Sequence, residues 1–261
     1  MNEIAVKNLM AELGYKGMKA EYEAQVEGGY ADSLSFNERL STLLQAQYDL
    51  KRSNKIKNLH AQAKFALPEA CMEDIDYSPD RELDPGYLGT LASCSFVANK
   101  ENVIVMGASD CGKTYMGCAL GNSACRHLIK TRYERLSTMF KKLDEAEKQG
   151  GYTKLFNDIA KVPLLVLDDF LVAIPTIKQV QQLLELVEYR EHSGSTIVCT
   201  LLHPSEWQQR IGEKIQANSI YSRLAPGANS YAKCSGGSQP PQRWVNPFAA
   251  AGQKRWISGS V

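Results

Sequence analysis

The 261-residue sequence contains no uninterrupted apolar run near the ~20 residues that a membrane-spanning helix requires. Residues Met1–Ile4 also lack the charged start and apolar stretch that are typical of a signal peptide. We therefore expect a cytoplasmic protein with no membrane partner. Hydrophobic residues make up 44% of the chain and charged residues 23%, which excludes disorder, collagen and coiled coil as descriptions of the whole chain.

The sequence also has almost no net charge and no clustered metal-binding cysteines. Its formal charge is +1, so a global attraction to nucleic acid is excluded and any DNA-binding surface must be local. Among the seven cysteines, Cys111, Cys118 and Cys125 recur every seven residues, along one side of a helix and not around a tetrahedral ion. We expect reduced thiols in or near the core, with a redox role for Cys111 as the alternative.

Proline is absent from residues 1–64, whose composition predicts a small all-helical N-terminal domain. We expect this domain to contact DNA or a partner, which the family resemblance described below implies. The stretch Ser35–Glu38 has the pattern of a capping box, and apolar residues follow it at helical spacing. Further along this helix, Lys51, Arg52 and Lys55 share one side. That basic side is either a solvated helix face or a phosphate-contacting surface.

The rest of the chain changes character twice. Residues 65–101 are acidic and proline-containing, and we interpret them as an irregular connector. Residues 102–231 alternate apolar strands with helices, the pattern of an α/β core with a parallel sheet sandwiched by helices. Residues 232–261 form an irregular tail to which the pattern assigns no role.

A phosphate-binding loop follows the first strand of this core, Val103–Met106. It matches Gly-x-x-x-x-Gly-Lys-Ser/Thr at every fixed position. Its glycines permit backbone N–H groups to point at phosphate oxygens, while Lys113 bridges the outer phosphates and Thr114 offers a hydroxyl to Mg²⁺. The predicted fold is therefore a P-loop NTPase that binds ATP through Gly107, Ala108, Ser109, Asp110, Cys111, Gly112, Lys113 and Thr114.

Two acids, Asp168 and Asp169, end the second apolar strand, Leu164–Leu167. A strand adjacent to the first would bring both carboxylates beside the magnesium. We expect Asp168 to hold the metal through water and Asp169 to orient or deprotonate the attacking water.

The sequence resembles a known family, the IstB-like helper ATPases of insertion sequences. These AAA+ proteins are related to the bacterial helicase loader DnaC. The resemblance covers about residues 1–231. Its motifs are Leu13–Tyr22, Leu34–Leu40, Ala63–Phe65, the loop with Tyr115–Asn122, Leu164–Phe170 and Ile220–Leu224.

The resemblance implies an ATP-dependent, DNA-binding helper of transposition. Such a protein forms a homo-oligomer on double-stranded target DNA and recruits or stimulates the transposase of the same element. It also implies that Thr200 senses the γ-phosphate and that Arg223 is an arginine finger reaching a neighbour's nucleotide. From the residues alone, a helix-end arginine paired to a local acid is the alternative for Arg223. Lysines 141, 142, 148 and 154 lie where related proteins place DNA-facing elements, although a salt-bridged surface is the alternative.

The sequence departs from the family at Asp110, where glycine is usual. Aspartate tolerates the left-handed backbone better than most residues, but its carboxylate lies beside a polyanion. Two hypotheses of different class follow, a working ATPase and a binding module that holds nucleotide weakly and bridges DNA and a partner. A helicase loader is the third.

Overall fold

The computed structural model describes residues 2–29, 33–78, 83–212, 214–225, 229–233 and 256–257. The chain divides into two compact units, Met1–Asn58 and Leu59–Val261. Each unit is described separately below. None of the described helices has both the length and the apolar composition that crossing a bilayer requires.

The described residues of the first unit form helices α1 (Glu3–Glu12), α2 (Lys16–Glu27) and most of α3 (Phe36–Ala63). The capping box predicted at the start of α3 is present, since the backbone N–H of Ser35 donates to the Glu38 carboxylate at 2.8 Å. Helix α2 packs closely on α3 at Gly17, where a Cβ atom would lie 2.6 Å from the carbonyl oxygen of Ala46. The Gln47 side chain accepts a hydrogen bond from the Gly17 N–H at 2.9 Å and so fixes this crossing.

The segment expected to be an irregular connector, 65–101, instead contributes to the core of the second unit. It contains helices α4 (Pro85–Ala92) and α5 (Ser95–Ala98). Pro85 opens α4, and the Asp84 carboxylate caps it by accepting from Gly86 N at 2.9 Å. Asp84 and Pro85 therefore act as a helix-start signal. Its apolar residues belong to a buried cluster, and they include Phe65, Ala70, Leu88, Leu91, Phe96 and Val97. The four-segment division of the chain itself stays a prediction.

A parallel sheet forms the centre of the second unit. Its strands are β1 (Val103–Gly107), β2 (Thr131–Arg135), β3 (Leu164–Asp168), β4 (Ser195–Thr200), β5 (Asn229–Lys233) and β6 (Trp256–Ile257), in the spatial order β2-β3-β4-β1-β5-β6. Every neighbouring pair is parallel. The polar strand β5 and the two residues of β6 were not expected from the sequence. The rest of the predicted tail lies outside the described residues.

Helices cover the sheet through two buried clusters, as the sequence predicts. The helices are α6 (Lys113–Arg126), α7 (Leu136–Lys148), α8 (Tyr152–Ala160), α9 (Ile177–Arg190), α10 (Trp207–Ile211) and α11 (Lys214–Leu224). Alternate residues of β1, β3 and β4 enter different clusters. Val103 and Val105 pack with residues of α4–α6, whereas Ile104 and Met106 pack with residues of α7–α11. This explains why β1, β3 and β4 are largely continuous apolar runs, because both of their faces are buried.

The strand order decides which residues meet. Because all strands are parallel, their carboxyl ends lie along one edge of the sheet. Met106 pairs with Thr200 there, and Arg135 pairs with Asp168. The expectation that the acids end a strand adjacent to β1 is wrong, because β4 lies between β1 and β3. The loop and the acids are two strand positions apart at the same edge.

Candidate functional site

The phosphate loop connects β1 to α6 as the motif predicts. Gly112 has φ 86° and directly precedes α6, whose first turn contains no acidic residue and has no side-chain hydrogen-bond cap within the described part of the chain. The first backbone N–H groups of α6 are therefore not used by a cap, and the positive end of the helix dipole faces the loop. This is the arrangement that binds an anion such as phosphate.

Asp110 adopts a left-handed backbone conformation with φ 61°, which agrees with the tolerance predicted for aspartate at this position. The residue is exposed, and it lines the pocket together with Lys113 and Thr114. The loop therefore folds with an acidic residue at the wall of this pocket.

Lys113 folds back on its own loop. Its ammonium donates to the carbonyl oxygen of Ala108 at 2.5 Å and lies 3.9 Å from the Cys111 sulfur. The thiol of Cys111 is buried. The lysine thus lies at the loop, as predicted, with its charge directed at a backbone carbonyl.

Next to the loop, the two predicted metal-binding residues, Thr114 and Asp168, are in direct contact. The Thr114 hydroxyl donates to Asp168 Oδ2 at 2.8 Å, and the hydroxyl of Tyr133 donates to the same oxygen at 2.6 Å. Asp168 is only 1% exposed. Burial, followed by the hydrogen bond to this carboxylate, raises the pKa of Tyr133 above its usual range. Tyr133 was missed by sequence reasoning, because a lone tyrosine in a strand carries no functional signal.

Asp169 points elsewhere. It has φ 51°, and its carboxylate forms an ion pair with Arg135 Nε at 2.9 Å. Both side chains are about half exposed, and both line the pocket. The turn after Asp168 thus sends two consecutive carboxylates to different partners. Arg135 ends the adjacent strand β2, and no motif identified it.

Thr200 lies at the end of β4 beside the loop strand, but its hydroxyl is engaged internally. It donates to the carbonyl oxygen of Phe170 at 3.0 Å and accepts from the Leu202 N–H at 3.1 Å. The side chain is fully buried. The proposed sensor role of Thr200 stays a prediction.

Arg223 lies far from the loop of its own chain. Asn102, which precedes β1, donates to the carbonyl oxygen of Arg223 at 3.0 Å, whereas the loop follows the other end of β1, roughly 16 Å along the strand. The guanidinium group forms ion pairs with Glu188 of α9 and with Glu191, the residue that follows α9, each at 3.1 Å. This contact corresponds to the local-acid alternative, and the finger role stays a prediction about a neighbouring subunit.

The pocket at the phosphate loop, which Lys113, Thr114 and Asp169 line, has a volume of about 480 Å³. Beyond the loop, its wall includes Leu67 and Tyr115. The Tyr115 hydroxyl bonds to the backbone of Cys71, and Asn122 of α6 donates to the carbonyl oxygens of Pro68 (2.9 Å) and Ala70 (2.6 Å). These bonds fix the segment before α4 against the loop helix. Leu67 therefore borders the pocket from a region that was expected to lie outside the core.

The basic residues have different surroundings. Lys51, Arg52 and Lys55 are exposed on α3, and the ammonium of Lys51 lies 5.7 Å from the ring centre of Tyr15. On α7, Lys142 pairs at 2.7 Å with Glu134, a buried acid that also binds Arg132. The salt-bridge alternative therefore applies to Lys142.

Comparison with known proteins gives consistent matches. A family described as IstB-like ATP binding protein matches residues 8–233. An insertion sequence IS1162 protein of Pseudomonas fluorescens, named for ATP binding, is 34% identical over 74% of this chain and 84% of its own length. A similarly named insertion sequence protein, y4pL of Sinorhizobium fredii, is 31% identical over 83% of this chain and 88% of its own length.

Solved structures show the same fold. The crystal structure of DnaI matches with a TM-score of 0.55 at 20% identity, covering 63% of this chain and 91% of that protein. The crystal structure of the DnaC helicase loader matches with a TM-score of 0.51 at 19% identity, covering 61% of this chain and 96% of that protein. At these identities the likeness concerns the fold alone, the AAA+ type of P-loop core.

Proposed function

The chain belongs to the family of IstB-like ATP-binding proteins, and from this premise we propose that it is an ATP-dependent, DNA-binding helper of transposition. The observation that carries the proposal is the hydrogen bond from Thr114 to Asp168. It lies next to the phosphate loop, at the N-terminus of helix α6, which has no side-chain cap. ATP is the nucleotide that this family is named for. The names of the relatives connect them to insertion sequences.

The triphosphate binds at the N-terminus of α6 in this proposal. The backbone N–H groups of the loop and the helix dipole attract phosphate oxygens, and Lys113 exchanges its bond to the Ala108 carbonyl for a phosphate contact. Leu67 and Tyr115 offer an apolar wall to the nucleoside. Asp110 opposes the phosphates with a like charge and weakens binding.

The residues around Thr114 and Asp168 fit magnesium. A hydroxyl and a carboxylate are hard oxygen ligands, and Mg²⁺ is usually held by one or two protein groups together with phosphates and water. Within the described residues, no three His, Cys, Asp or Glu side chains form a metal-binding group of their own, which agrees with a metal that arrives with the nucleotide. When bound, Mg²⁺ neutralises charge on the transferring phosphoryl group.

Hydrolysis requires a group that orients the attacking water, and Asp169 is the residue we assign to it. In the structure its carboxylate is held by Arg135 at the wall of the same pocket. Asp169 therefore acts once its carboxylate turns from Arg135 towards the γ-phosphate. Arg223 supplies a positive charge to the site of a neighbouring subunit, since it lies at the wrong end of β1 to serve its own.

We assign double-stranded DNA and the transposase of the same element as partners of a homo-oligomer of this chain. The exposed cations of α3, namely Lys51, Arg52 and Lys55, are the first DNA-contacting group, and those of α7 and α8, Lys141, Lys148 and Lys154, are the second. A salt titration of DNA affinity separates the two groups. Reversing the charge of a contacting lysine is expected to flatten the salt slope by about one for each phosphate that the variant no longer neutralises.

The central test measures phosphate release from ATP with and without Mg²⁺ and double-stranded DNA. The wild type is expected to release phosphate only with Mg²⁺, at a rate that DNA changes, and Lys113→Ala is expected to abolish release. Lys161→Ala, which removes an exposed lysine at the end of α8, is the matched control. Activity that persists in Lys113→Ala at the wild-type level would refute the assigned site.

The alternative is a binding module that bridges DNA and a partner without turnover, and Asp110 is the observation that favours it. It predicts no phosphate release from the wild type and release from Asp110→Gly. A helicase loader is the further alternative, since DnaC has the same fold. Capture of purified transposase, and not of purified replicative helicase, by the immobilised protein would favour the transposition helper.

A further inference from the structure

The hydroxyl of Tyr133 contacts Asp168, a predicted metal-binding residue, and no sequence motif identified this contact. It donates to Asp168 Oδ2 at 2.6 Å, and Thr114 donates to the same oxygen at 2.8 Å. We infer that Tyr133 is a positioning residue for the magnesium site, which it serves by fixing the orientation of the Asp168 carboxylate. The inference rests on the proposed function, because it concerns a metal that binds with the nucleotide.

The sheet explains why a tyrosine reaches this acid. Tyr133 pairs with Val166 in the register of β2 and β3, and Asp168 lies two residues further along β3. Side chains two residues apart point to the same face, about 6.6 Å apart along the strand. A phenol ring spans that distance, whereas a serine or threonine hydroxyl at position 133 would stop short of it.

Two donors on one carboxylate oxygen have a chemical consequence. The carboxylate cannot rotate without breaking both hydrogen bonds, so its second oxygen, Oδ1, keeps one direction. Because the Thr114 proton is donated to Asp168, the lone pairs of the Thr114 oxygen remain free for a cation. Both metal-binding groups are thus held in place before a metal arrives.

Simple burial is the competing explanation for this contact. Tyr133 is 8% exposed and its hydroxyl needs a partner, which Asp168 supplies whether or not a metal binds. The explanations differ in what they predict. A hydroxyl needed only for folding changes stability and leaves metal affinity unchanged, whereas a positioning hydroxyl changes metal affinity in a folded protein.

The test compares wild type with Tyr133→Phe, which removes one oxygen atom. Mn²⁺ replaces Mg²⁺, and its binding is followed by electron paramagnetic resonance in the presence of a non-hydrolysable ATP analogue. We expect Tyr133→Phe to weaken Mn²⁺ affinity about tenfold, the usual scale for a residue that supports a metal ligand. Affinity for the analogue in EDTA is expected to stay within twofold, because the loop itself is unchanged.

Two further variants separate the possible outcomes. Tyr152→Phe, which removes a surface hydroxyl 3.3 Å from Glu185, is expected to leave Mn²⁺ affinity unchanged. Tyr133→Leu is expected to lower the thermal midpoint more than Tyr133→Phe, with a similar reduction of Mn²⁺ affinity. Equal Mn²⁺ affinity in wild type and Tyr133→Phe would overturn the inference, as would an equal reduction of analogue binding in EDTA. A wild type that binds no Mn²⁺ with the analogue would instead refute the proposed function, and the inference with it.

Discussion

Replacing Asp110 with asparagine removes one negative charge from the phosphate loop and leaves the shape of the side chain almost unchanged. Asparagine also tolerates the left-handed backbone that the structure shows at this position, φ 61°. Any change in ATP affinity therefore reports the charge. We expect Asp110→Asn to bind ATP more tightly than the wild type.

The magnitude follows from the position of the residue. Asp110 is exposed and lines the nucleotide pocket, so the surrounding dielectric is close to that of water. At roughly 6 Å, one phosphate charge repels a carboxylate by ~0.7 kcal/mol in bulk water and by ~1.4 kcal/mol at half that dielectric. ATP affinity should therefore rise about three- to tenfold. Salt screens such a pair, so the difference should shrink between about 0.15 and 1 M salt.

Isothermal titration with a non-hydrolysable ATP analogue measures this difference, with Asp110→Gly as the second variant. Both variants remove the charge, but only glycine also relaxes the backbone. If Asp110→Gly binds more tightly and Asp110→Asn does not, backbone conformation and not charge is responsible. If neither variant changes affinity at low salt, the carboxylate does not face the phosphates and the reasoning is refuted.

Three other outcomes are expected. Arg190 is buried and donates to the carbonyl oxygens of Ala160 and Val162. Arg190→Met is expected to lower the free energy of unfolding by about 3 kcal/mol, because these hydrogen bonds are lost. Denaturant titration measures this change, and an unchanged midpoint would contradict it. Gly17→Ala is expected to destabilise the helices of the first unit by about 1–3 kcal/mol, because the added Cβ would meet the α3 backbone. The control Gly89→Ala places its Cβ in open space and should show no such destabilisation. A circular-dichroism melt measures both. Mixing Arg223→Ala with Lys113→Ala chains is expected to restore part of the ATPase activity that each lacks, because an intact loop then meets an intact neighbouring arginine; no recovery would count against a role of Arg223 between subunits.

Much of the core was predictable because its signals are local. Leu164–Leu167 is apolar on both faces, as a central parallel strand must be, and the structure has β3 at Leu164–Asp168. The capping box at Ser35 and Glu38 formed as predicted, since it depends on residues three positions apart. By contrast, the segment 65–101 was interpreted as a connector because its acidic and proline residues resemble a linker. Its burial depends on its packing against α6, which is distant in the chain.

In the candidate functional site, too, some features follow from local sequence and others depend on tertiary packing. By itself the sequence determined the phosphate loop, because glycines, a lysine and a threonine at fixed spacing are needed at one turn between a strand and a helix. It also determined that an acidic pair follows β3. Only the tertiary structure decided that Asp168 turns inward to Thr114 and Tyr133 while Asp169 turns outward to Arg135, because the order of the strands sets which side chains meet at the sheet edge. Parallel strands are joined by long crossover connections, so the pairing that brings Tyr133 to Asp168 does not follow from the spacing of neighbouring residues.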